Sequence, residues 1–379
     1  MPGAASVRGL FYHYSPGGDV GHGVHLFRLA AALRKKFGPS LSLTLLRDGA
    51  SYPGDKSWEY GRVLKLPGGN ERAALLKKEF SRGYDFAVTS FFPLGRTGCA
   101  AELLPALAAA RAAGTKIYAS SALPYLSWRG EDLPRLFAAA ALYDLILVHC
   151  PPGFDLKYMA KAVAVERRIS PAAFLGAFRR LGPKVRFTGY VLPERLPAAG
   201  QKGTYILVHR GGGSTSPEII SCAIKAKPLL KSRLPMVIVA GPASSPAEMA
   251  KWRAMLRGAR GVKLIKETKD FPALLAGCRV AVGTAGGTVY EALKLRRRLV
   301  LVPYAGSPSA EHSDQLARAA MLRDLAGART LDYAGLTPEI FAAAVDAALA
   351  GPAPSFRAGP GVFDGARTAA ALIREGLHV

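Results

Sequence analysis

One stretch decides the fold of this chain: Val280-Ala281-Val282-Gly283-Thr284-Ala285-Gly286-Gly287-Thr288-Val289-Tyr290-Glu291, then a helix, then Leu299-Val300-Leu301-Val302-Pro303. The apolar run predicts a buried strand, and the small residues after it predict a turn that opens a helix. Backbone N–H groups in such a turn, with the positive end of the helix, can approach an anion closely. Glu291 lies about one turn inside the helix, in reach of a hydroxyl pair on the same ligand. We therefore weigh a phosphate turn with a ribose-binding acid against an ordinary βαβ crossover whose glycines only permit tight packing.

Chain length and composition predict two soluble domains. The chain has 379 residues, half of them hydrophobic, which favours two cores over one. Its cysteines match no metal-ligand spacing and are expected as reduced thiols, namely Cys99, Cys150, Cys222 and Cys278. No signal-type segment opens the chain, and no run approaches the ~18–20 apolar residues that span a bilayer. We expect a cytoplasmic protein, at most peripheral at the inner face of the membrane.

The net charge of +24 belongs to the whole chain. It divides into +13 for residues 1–195 and +11 for the remainder, so it is not a detachable basic tail. Such a balance favours a partner with an extended negative surface, either anionic lipid or nucleic acid. A general bias of the host toward basic proteins is the plain alternative. No nucleic-acid recognition motif is present, so nucleic acid is the less favoured partner.

Two β–glycine loop–α units organise the sequence. The first has a strand at 7–12, a loop at 15–23 containing Gly21 and His22, and a helix from Val24. The second follows a linker-like segment at 191–200, with a strand at 205–209, the loop Gly211-Gly212-Gly213, and a helix start read as Ser216 capping Pro217. This pattern predicts an α/β protein of two Rossmann-like domains facing across a cleft. We assign residues 1–192 to an acceptor-side domain, 203–352 to a donor domain, and 353–379 to a helix that packs back toward the first.

With these pieces in order, the sequence resembles the GT-B glycosyltransferases. The branch it is most similar to contains the enzyme that adds N-acetylglucosamine to the undecaprenyl-linked peptidoglycan precursor, together with bacterial predicted glycosyltransferases. The resemblance rests on the Gly21-His22 loop, the segment 184–191, the loop at 211–213, and Gly286 to Glu291 followed by Asp314-Gln315. The close relatives tend to have Gly-Tyr-Asn-Thr where this chain has Ala285-Gly286-Gly287-Thr288, and often Glu-Gln for Asp314-Gln315.

The resemblance implies contacts to a nucleotide-sugar donor, most simply UDP-linked. Glu291 would hold the ribose hydroxyls, Gly286-Gly287-Thr288 the diphosphate, and Asp314-Gln315 the hydroxyls of the sugar. Gly212-Gly213-Ser214 would touch the phosphates or the sugar, and the backbone from Lys266 would touch the base. Gly21, in the N-terminal loop, would also contact the donor.

The N-terminal loop would supply the catalytic residue. His22, beside Gly21, matches a family histidine that acts as general base or as a hydrogen-bonding positioner, and the plain alternative is a histidine that orders the loop. Transfer is expected to be inverting, with no cofactor and no metal, because helix N-termini and basic side chains stabilise the leaving diphosphate. Arg210 is a candidate for that positive charge, with a solvated surface arginine as its alternative.

Other functions remain open at this point. The non-hydrolysing UDP-N-acetylglucosamine 2-epimerases share the fold, and a basic α/β protein that binds nucleic acid without catalysis is a third reading. The acceptor is expected to be lipid-linked or part of the cell envelope. Basic clusters such as Arg167-Arg168 and Arg179-Arg180 are candidates for docking on anionic membrane, or are solvated helix faces.

Overall fold

The computed structural model describes residues 6–14, 20–48, 57–151, 153–166, 168–198, 203–304, 313–352, 354, 356 and 358–378. Side chains at positions 20–22, 58, 70, 154 and 313 lie outside this description. In the described part, residues up to 192 together with 359–378 form one compact unit, and residues 193–358 form the other. None of the described helices is both long enough and apolar enough to cross a bilayer.

The first unit is built on seven parallel strands in the order β3-β2-β1-β4-β5-β6-β7. The strands are β1 (Val7–His13), β2 (Leu41–Arg47), β3 (Arg62–Lys65), β4 (Phe86–Ser90), β5 (Lys116–Ser121), β6 (Leu145–Val148) and β7 (Val185–Phe187). The helices between them are α1 (Val20–Phe37), α2 (Asn70–Phe80), α3 (Ala100–Ala112), α4 (Leu133–Ala141), α5 (Phe154–Val165) and α6 (Pro171–Leu181). The central strand β1 is buried along most of its length, as expected for a parallel sheet covered by helices.

The second unit has six parallel strands in the order β10-β9-β8-β11-β12-β13. These are β8 (Tyr205–His209), β9 (Met236–Val239), β10 (Val262–Ile265), β11 (Cys278–Gly283), β12 (Arg298–Leu301) and β13 (Arg329–Thr330). Its helices are α7 (Glu218–Ala226), α8 (Pro246–Met255), α9 (Phe271–Gly277), α10 (Thr288–Lys294), α11 (Ser313–Ala326) and α12 (Pro338–Ala350). Ile220, Trp252 and Phe341 bring α7, α8 and α12 onto one buried core with the strands. The predicted α/β class with two parallel sheets is confirmed.

The last helix, α13 (Gly365–Gly376), belongs to the first unit. It packs against α1, and the chain leading into it is held by the backbone of Tyr190. The Tyr190 N–H donates to the carbonyl of Val362 at 2.7 Å, and the Gly365 N–H donates to the carbonyl of Tyr190 at 3.1 Å. The end of the chain therefore completes the first unit.

Two helix starts differ from the sequence prediction. Helix α1 begins at Val20, so Gly21 and His22 lie in its first turn and not in the loop. Helix α7 begins at Glu218 with Pro217 as its N-cap. Ser216 has a left-handed φ of 62°, a conformation outside the extended region that N-cap residues adopt, so the prediction of Ser216 as the cap was wrong.

Candidate donor site in the second unit

The topological switch of the second sheet lies between β8 and β11. From β8 the chain runs outward to β9 and β10 on one side, and from β11 to β12 and β13 on the other. Strands β8 and β11 end together, with His209 opposite Gly283. Their following loops are joined, because the Thr284 hydroxyl donates to the Arg210 carbonyl at 3.3 Å. Open α/β sheets bind ligands at this kind of crevice, and both glycine loops singled out from the sequence meet there.

The glycines of the opening stretch fall into two kinds. A Cβ on Gly283 would lie 2.5 Å from the carbonyl oxygen of His209, so this glycine is required for packing. Around Gly287, which is exposed, a Cβ would meet no atom within 4 Å, and around Gly286 it would meet only Thr284 Oγ1 at 3.9 Å. The packing explanation therefore fits Gly283 but not Gly286 or Gly287, whose missing side chains leave open space in front of the turn.

Glu291 is the fourth residue of α10, which is capped by Gly287. The residue is only 3% exposed, and its side chain is not without an interaction partner. Glu291 is therefore not a carboxylate on a solvated helix face, and a buried carboxylate is unfavourable unless it is compensated. Hydroxyls that reach Glu291 would join or replace its protein partners.

Asp314 and Gln315 lie in the first turn of α11, and hydrogen bonds connect this turn to Tyr304 and to Ala285. The Gln315 Oε1 accepts from the backbone N–H of Tyr304 at 3.0 Å, so the amide is oriented with its NH₂ group available as donor. The Asp314 carboxylate is paired with Arg318 one helical turn later, and Arg318 Nε donates to the carbonyl of Ala285 at 2.7 Å. The structure thus brings Asp314 to the turn that contains Gly286, Gly287 and Thr288.

Arg210 has a different role from the one predicted. Its side chain is fully buried and lies over the ring of Trp252 at 5.5 Å. All five of its N–H groups have protein acceptors: the carbonyls of Ala240 and Ser214, the hydroxyl of Ser244, and both carboxylate oxygens of Glu248. Arg210 is therefore neither a phosphate ligand nor a solvated surface arginine, because each of its N–H groups already donates to an acceptor inside the protein. Arg210 instead holds the second glycine loop through the Ser214 carbonyl.

The ion pair with Arg210 also affects the pKa of Glu248. Burial alone would raise the pKa of Glu248, but hydrogen bonds from the Ser245 backbone and from Arg210 outweigh it and lower the pKa. Glu248 forms the capping box of α8 with Ser245, so one carboxylate both stabilises the start of a helix and anchors the arginine.

The other predicted donor residues are spread along the same edge of the sheet. Ser214 is exposed and Gly212 and Gly213 are half-buried in the loop after β8. Lys266, also exposed, follows β10, and its carbonyl accepts from the Gly241 N–H at 2.7 Å. Because β9 and β8 separate β10 from β11, the structure does not bring Lys266 next to the turn at 284–288.

A buried histidine lies beneath this site and was not anticipated from the sequence. His209 is 5% exposed, with its ring packed edge-on against Phe271 at 5.1 Å. Its Nδ1 has no hydrogen-bond partner among the described residues, and burial lowers its pKa to about 4. It is therefore a neutral packing residue at pH 7. Arg318 was also missed, since an arginine inside an alanine-rich helix that also carries Arg323 gives no local signal.

The catalytic prediction falls in the first unit. The side chain of His22, like that of its neighbour Gly21, lies outside the described residues, so its predicted role stays a prediction. His25, three residues after His22, is buried, with Nε2 3.3 Å from the carbonyl oxygen of Ser120. One turn after His22, it ties α1 to strand β5.

The four cysteines agree with their sequence reading. All of them are buried and none forms a disulfide. Burial raises the pKa of the Cys99 and Cys278 thiols to about 12. They are therefore protonated packing residues at neutral pH.

Comparison with known proteins finds one family match, which covers most of the second unit. Residues 206–359 match the Glycosyltransferase family 28 C-terminal domain. This span contains both glycine loops, Glu291 and the Asp314-Gln315 pair.

Two curated relatives share the name UDP-N-acetylglucosamine--N-acetylmuramyl-(pentapeptide) pyrophosphoryl-undecaprenol N-acetylglucosamine transferase. The protein of Methylorubrum populi is 32% identical over 134 residues, 35% of this chain and 35% of its own. The protein of Rhodopseudomonas palustris is 30% identical over 237 residues, 58% of this chain and 63% of its own. The matched region thus spans less than two thirds of either relative.

Solved structures extend the likeness of fold to nearly the whole chain. The crystal structure of Acinetobacter baumannii MurG aligns with a TM-score of 0.59 at 12% identity, covering 97% of this chain and 99% of that one. The UDP-GlcNAc 2-epimerase of Methanocaldococcus jannaschii aligns with a TM-score of 0.58 at 10% identity, covering 98% and 100%. Residues 206–359 are therefore similar to a glycosyltransferase family 28 C-terminal domain, and the chain has the GT-B fold.

Proposed function

We propose that this protein transfers a sugar from a UDP-linked donor, an N-acetylhexosamine or another hexose, to a lipid-linked or cell-envelope acceptor. The observation that carries the proposal is the family 28 match over residues 206–359. Within it, the two glycine loops meet at the switch point of the sheet. The curated relatives are named as transferases that use UDP-N-acetylglucosamine and an undecaprenol-linked acceptor, and the proposal extends that chemistry to this chain.

In the proposed reaction the acceptor hydroxyl oxygen attacks the anomeric carbon of the donor sugar. The bond from that carbon to the β-phosphate oxygen breaks, UDP leaves with the electron pair, and the configuration inverts. The hydroxyl proton passes to the imidazole of His22, which is the predicted base. We expect no metal cofactor, with the leaving diphosphate stabilised by backbone N–H groups of the loops at 211–214 and 284–288.

In this proposal the donor occupies three places in the second unit. The diphosphate lies at the turn of Gly286, Gly287 and Thr288, where a side chain would otherwise occupy the open space. The ribose reaches Glu291, and the sugar reaches Asp314 and Gln315. Since the Gln315 carbonyl oxygen already accepts from Tyr304, we assign its NH₂ group as a donor to a sugar hydroxyl oxygen, and Asp314 as an acceptor.

Calorimetric titration with UDP and UDP-N-acetylglucosamine tests the donor assignment. We expect binding of both, and slow release of UDP from the sugar nucleotide in the absence of acceptor. A His22→Ala variant should keep UDP affinity and lose transfer, and full transfer by that variant would remove His22 from catalysis. Failure of every nucleotide and nucleotide sugar to bind or to raise the thermal midpoint would contradict the proposed function.

The same assay separates transfer from epimerisation. The fold alone does not distinguish the two activities, because the epimerase structure aligns about as well as MurG. A sugar nucleotide isomerised without acceptor would favour an epimerase. UDP release that accelerates when acceptor is added would favour the transferase.

For a lipid-linked acceptor, we propose that the first unit docks on anionic membrane through one face of α5 and α6. This α5–α6 face consists of the exposed residues Lys157, Lys161, Val165, Leu175 and Arg179. Val165 is 71% and Leu175 38% exposed, and each lies four residues from a cation on its own helix, Lys161 on α5 and Arg179 on α6. The nearby acids do not offset these charges, because Asp155 is buried on Tyr190 and Glu166 pairs with Arg168 at 3.1 Å.

Sedimentation with vesicles tests this face. Each basic residue near an anionic surface contributes about 1 kcal/mol, so replacing Lys157 and Lys161 with Gln should weaken binding to phosphatidylglycerol vesicles by about tenfold or more. Val165→Glu should weaken it further, whereas Val63→Glu, on the exposed edge strand β3 of the same unit, serves as the matched control. Equal sedimentation of all variants, or equal binding to neutral phosphatidylcholine, would contradict the docking face.

A further inference from the structure

Arg318 connects the turn that is proposed to hold the diphosphate with Asp314, the acid that is proposed to bind the sugar. Its side chain is 8% exposed. Nε donates to the carbonyl of Ala285 at 2.7 Å, and Nη2 pairs with the carboxylate of Asp314. One buried guanidinium therefore spans from the residue before Gly286 to the first turn of α11.

A carboxylate at this place poses an electrostatic problem. Asp314 is connected to the turn that is proposed to hold a diphosphate, and like charges repel strongly where solvent screening is reduced. The acid is half-buried, with 29% of its side chain exposed, so water only partly screens it. A negative side chain beside a negative ligand needs a compensating cation. Arg210, the other buried arginine of this region, cannot supply it because its N–H groups are all used.

We propose that Arg318 is a positioning residue that makes Asp314 compatible with a bound nucleoside diphosphate. The guanidinium neutralises the carboxylate on the side of the turn and fixes its orientation, which leaves the second carboxylate oxygen for a sugar hydroxyl. Its bond to the Ala285 carbonyl sets the distance between the diphosphate turn and the sugar-binding acid. This inference rests on the proposed function and adds a residue that neither the sequence motifs nor the family match assigns.

A double-mutant cycle separates this role from a purely structural one. UDP and UDP-N-acetylglucosamine are titrated by calorimetry into the wild type, Arg318→Gln, Asp314→Asn and the double variant. Arg318→Gln leaves the charge of Asp314 uncompensated and should weaken UDP binding by about tenfold or more. In the double variant, which also lacks the acid, UDP affinity should return to within about threefold of that of Asp314→Asn. UDP-N-acetylglucosamine should stay weakened in the double variant because the carboxylate contact to the sugar is gone.

Arg323→Gln is the matched control on the same helix. Arg323 is 58% exposed and pairs with Asp324 at 2.9 Å, so its loss changes the helix charge by the same amount without touching the turn. UDP affinity of this variant should equal that of the wild type. Circular dichroism of each variant confirms that the affinities refer to folded protein.

The outcomes are distinct. Wild-type UDP affinity in Arg318→Gln, or a double variant as weak as Arg318→Gln, would overturn the inference while leaving the proposed function standing. A wild type that binds neither UDP nor UDP-N-acetylglucosamine would overturn the proposed function and the inference with it. Rescue of UDP binding by the second substitution supports the compensating role, since a misfolded helix would not recover on losing a further partner.

Discussion

Replacement of Arg210 by methionine tests whether this residue stabilises the fold or binds the ligand. Methionine retains much of the apolar stem that packs toward Trp252 but removes all five N–H donors. The carbonyl of Ala240 keeps one donor, because the Ser244 hydroxyl bonds to it at 2.9 Å. The losses that remain are the ion pair with Glu248 and the bonds to the Ser214 carbonyl and the Ser244 hydroxyl.

The cost of this substitution follows from the contacts it removes. Glu248 is 27% exposed, so its ion pair is partly screened and contributes about 1 kcal/mol. The two hydrogen bonds from the charged guanidinium to Ser214 and Ser244 contribute about 1.5 kcal/mol each. We therefore expect Arg210→Met to lower the free energy of unfolding of the second unit by about 4 kcal/mol, which corresponds to a fall of roughly 8–16 °C in its thermal midpoint.

The assay combines thermal unfolding with calorimetric titration of UDP at a temperature where the variant is folded. UDP affinity should remain within about threefold of the wild type, since loosening of the Ser214 loop should change the binding free energy by at most about 0.7 kcal/mol. Arg253→Met, an exposed arginine on the same helix as Glu248, should change neither quantity. Unchanged stability combined with lost UDP binding would refute the structural role and restore Arg210 as a phosphate ligand.

Three further predictions concern the switch-point region. Gly287→Ala should change the free energy of unfolding by no more than about 0.5 kcal/mol. Calorimetry should show UDP binding about tenfold weaker, because the methyl group enters the open space proposed for the diphosphate. Gly283→Ala should instead lower the free energy of unfolding, because its Cβ would meet the His209 carbonyl oxygen. Glu291→Gln should weaken UDP by about tenfold through loss of charge-assisted bonds to the ribose, and an unchanged dissociation constant would remove the ribose assignment. The pKa of His209 is about 4 in the folded protein against ~6.5 unfolded, so its contribution to stability is complete above pH ~6.5 and falls as the pH drops toward 4, by at most about 3 kcal/mol. His209→Phe should flatten that part of the pH–stability profile in urea titrations, and parallel profiles would contradict the assignment.

Local patterns in the sequence predicted most elements of the fold. Tyr205–His209 is a strand with the predicted bounds, and the strand predicted at 7–12 runs from Val7 to His13, because short apolar runs between turn residues are typical of buried parallel strands. The prediction for Ser216 was wrong because its left-handed backbone conformation follows from the path of the glycine loop.

The candidate site was predicted in part. The contacts that sequence patterns did not predict join residues that are far apart along the chain. The turn at 284–288, Glu291 and the Asp314-Gln315 pair were identified from spacing and family resemblance. Their burial and contacts required the folded chain. Arg318 reaches Ala285, 33 positions away, and Arg210 reaches Glu248, 38 positions away, so no local pattern contains either pair.

For this protein, sequence by itself determined the two parallel α/β sheets and the order of the glycine loops, because hydrophobic periodicity and turn chemistry act over a few residues. Only the tertiary structure decided which of the conspicuous residues are available to a ligand. It showed that Gly283 is held by packing while Gly287 faces open space, and that the charge of Arg210 is used entirely inside the protein. Those distinctions depend on which side chains from distant elements fill each volume and pair with each charge, and the chain settles them only when it folds.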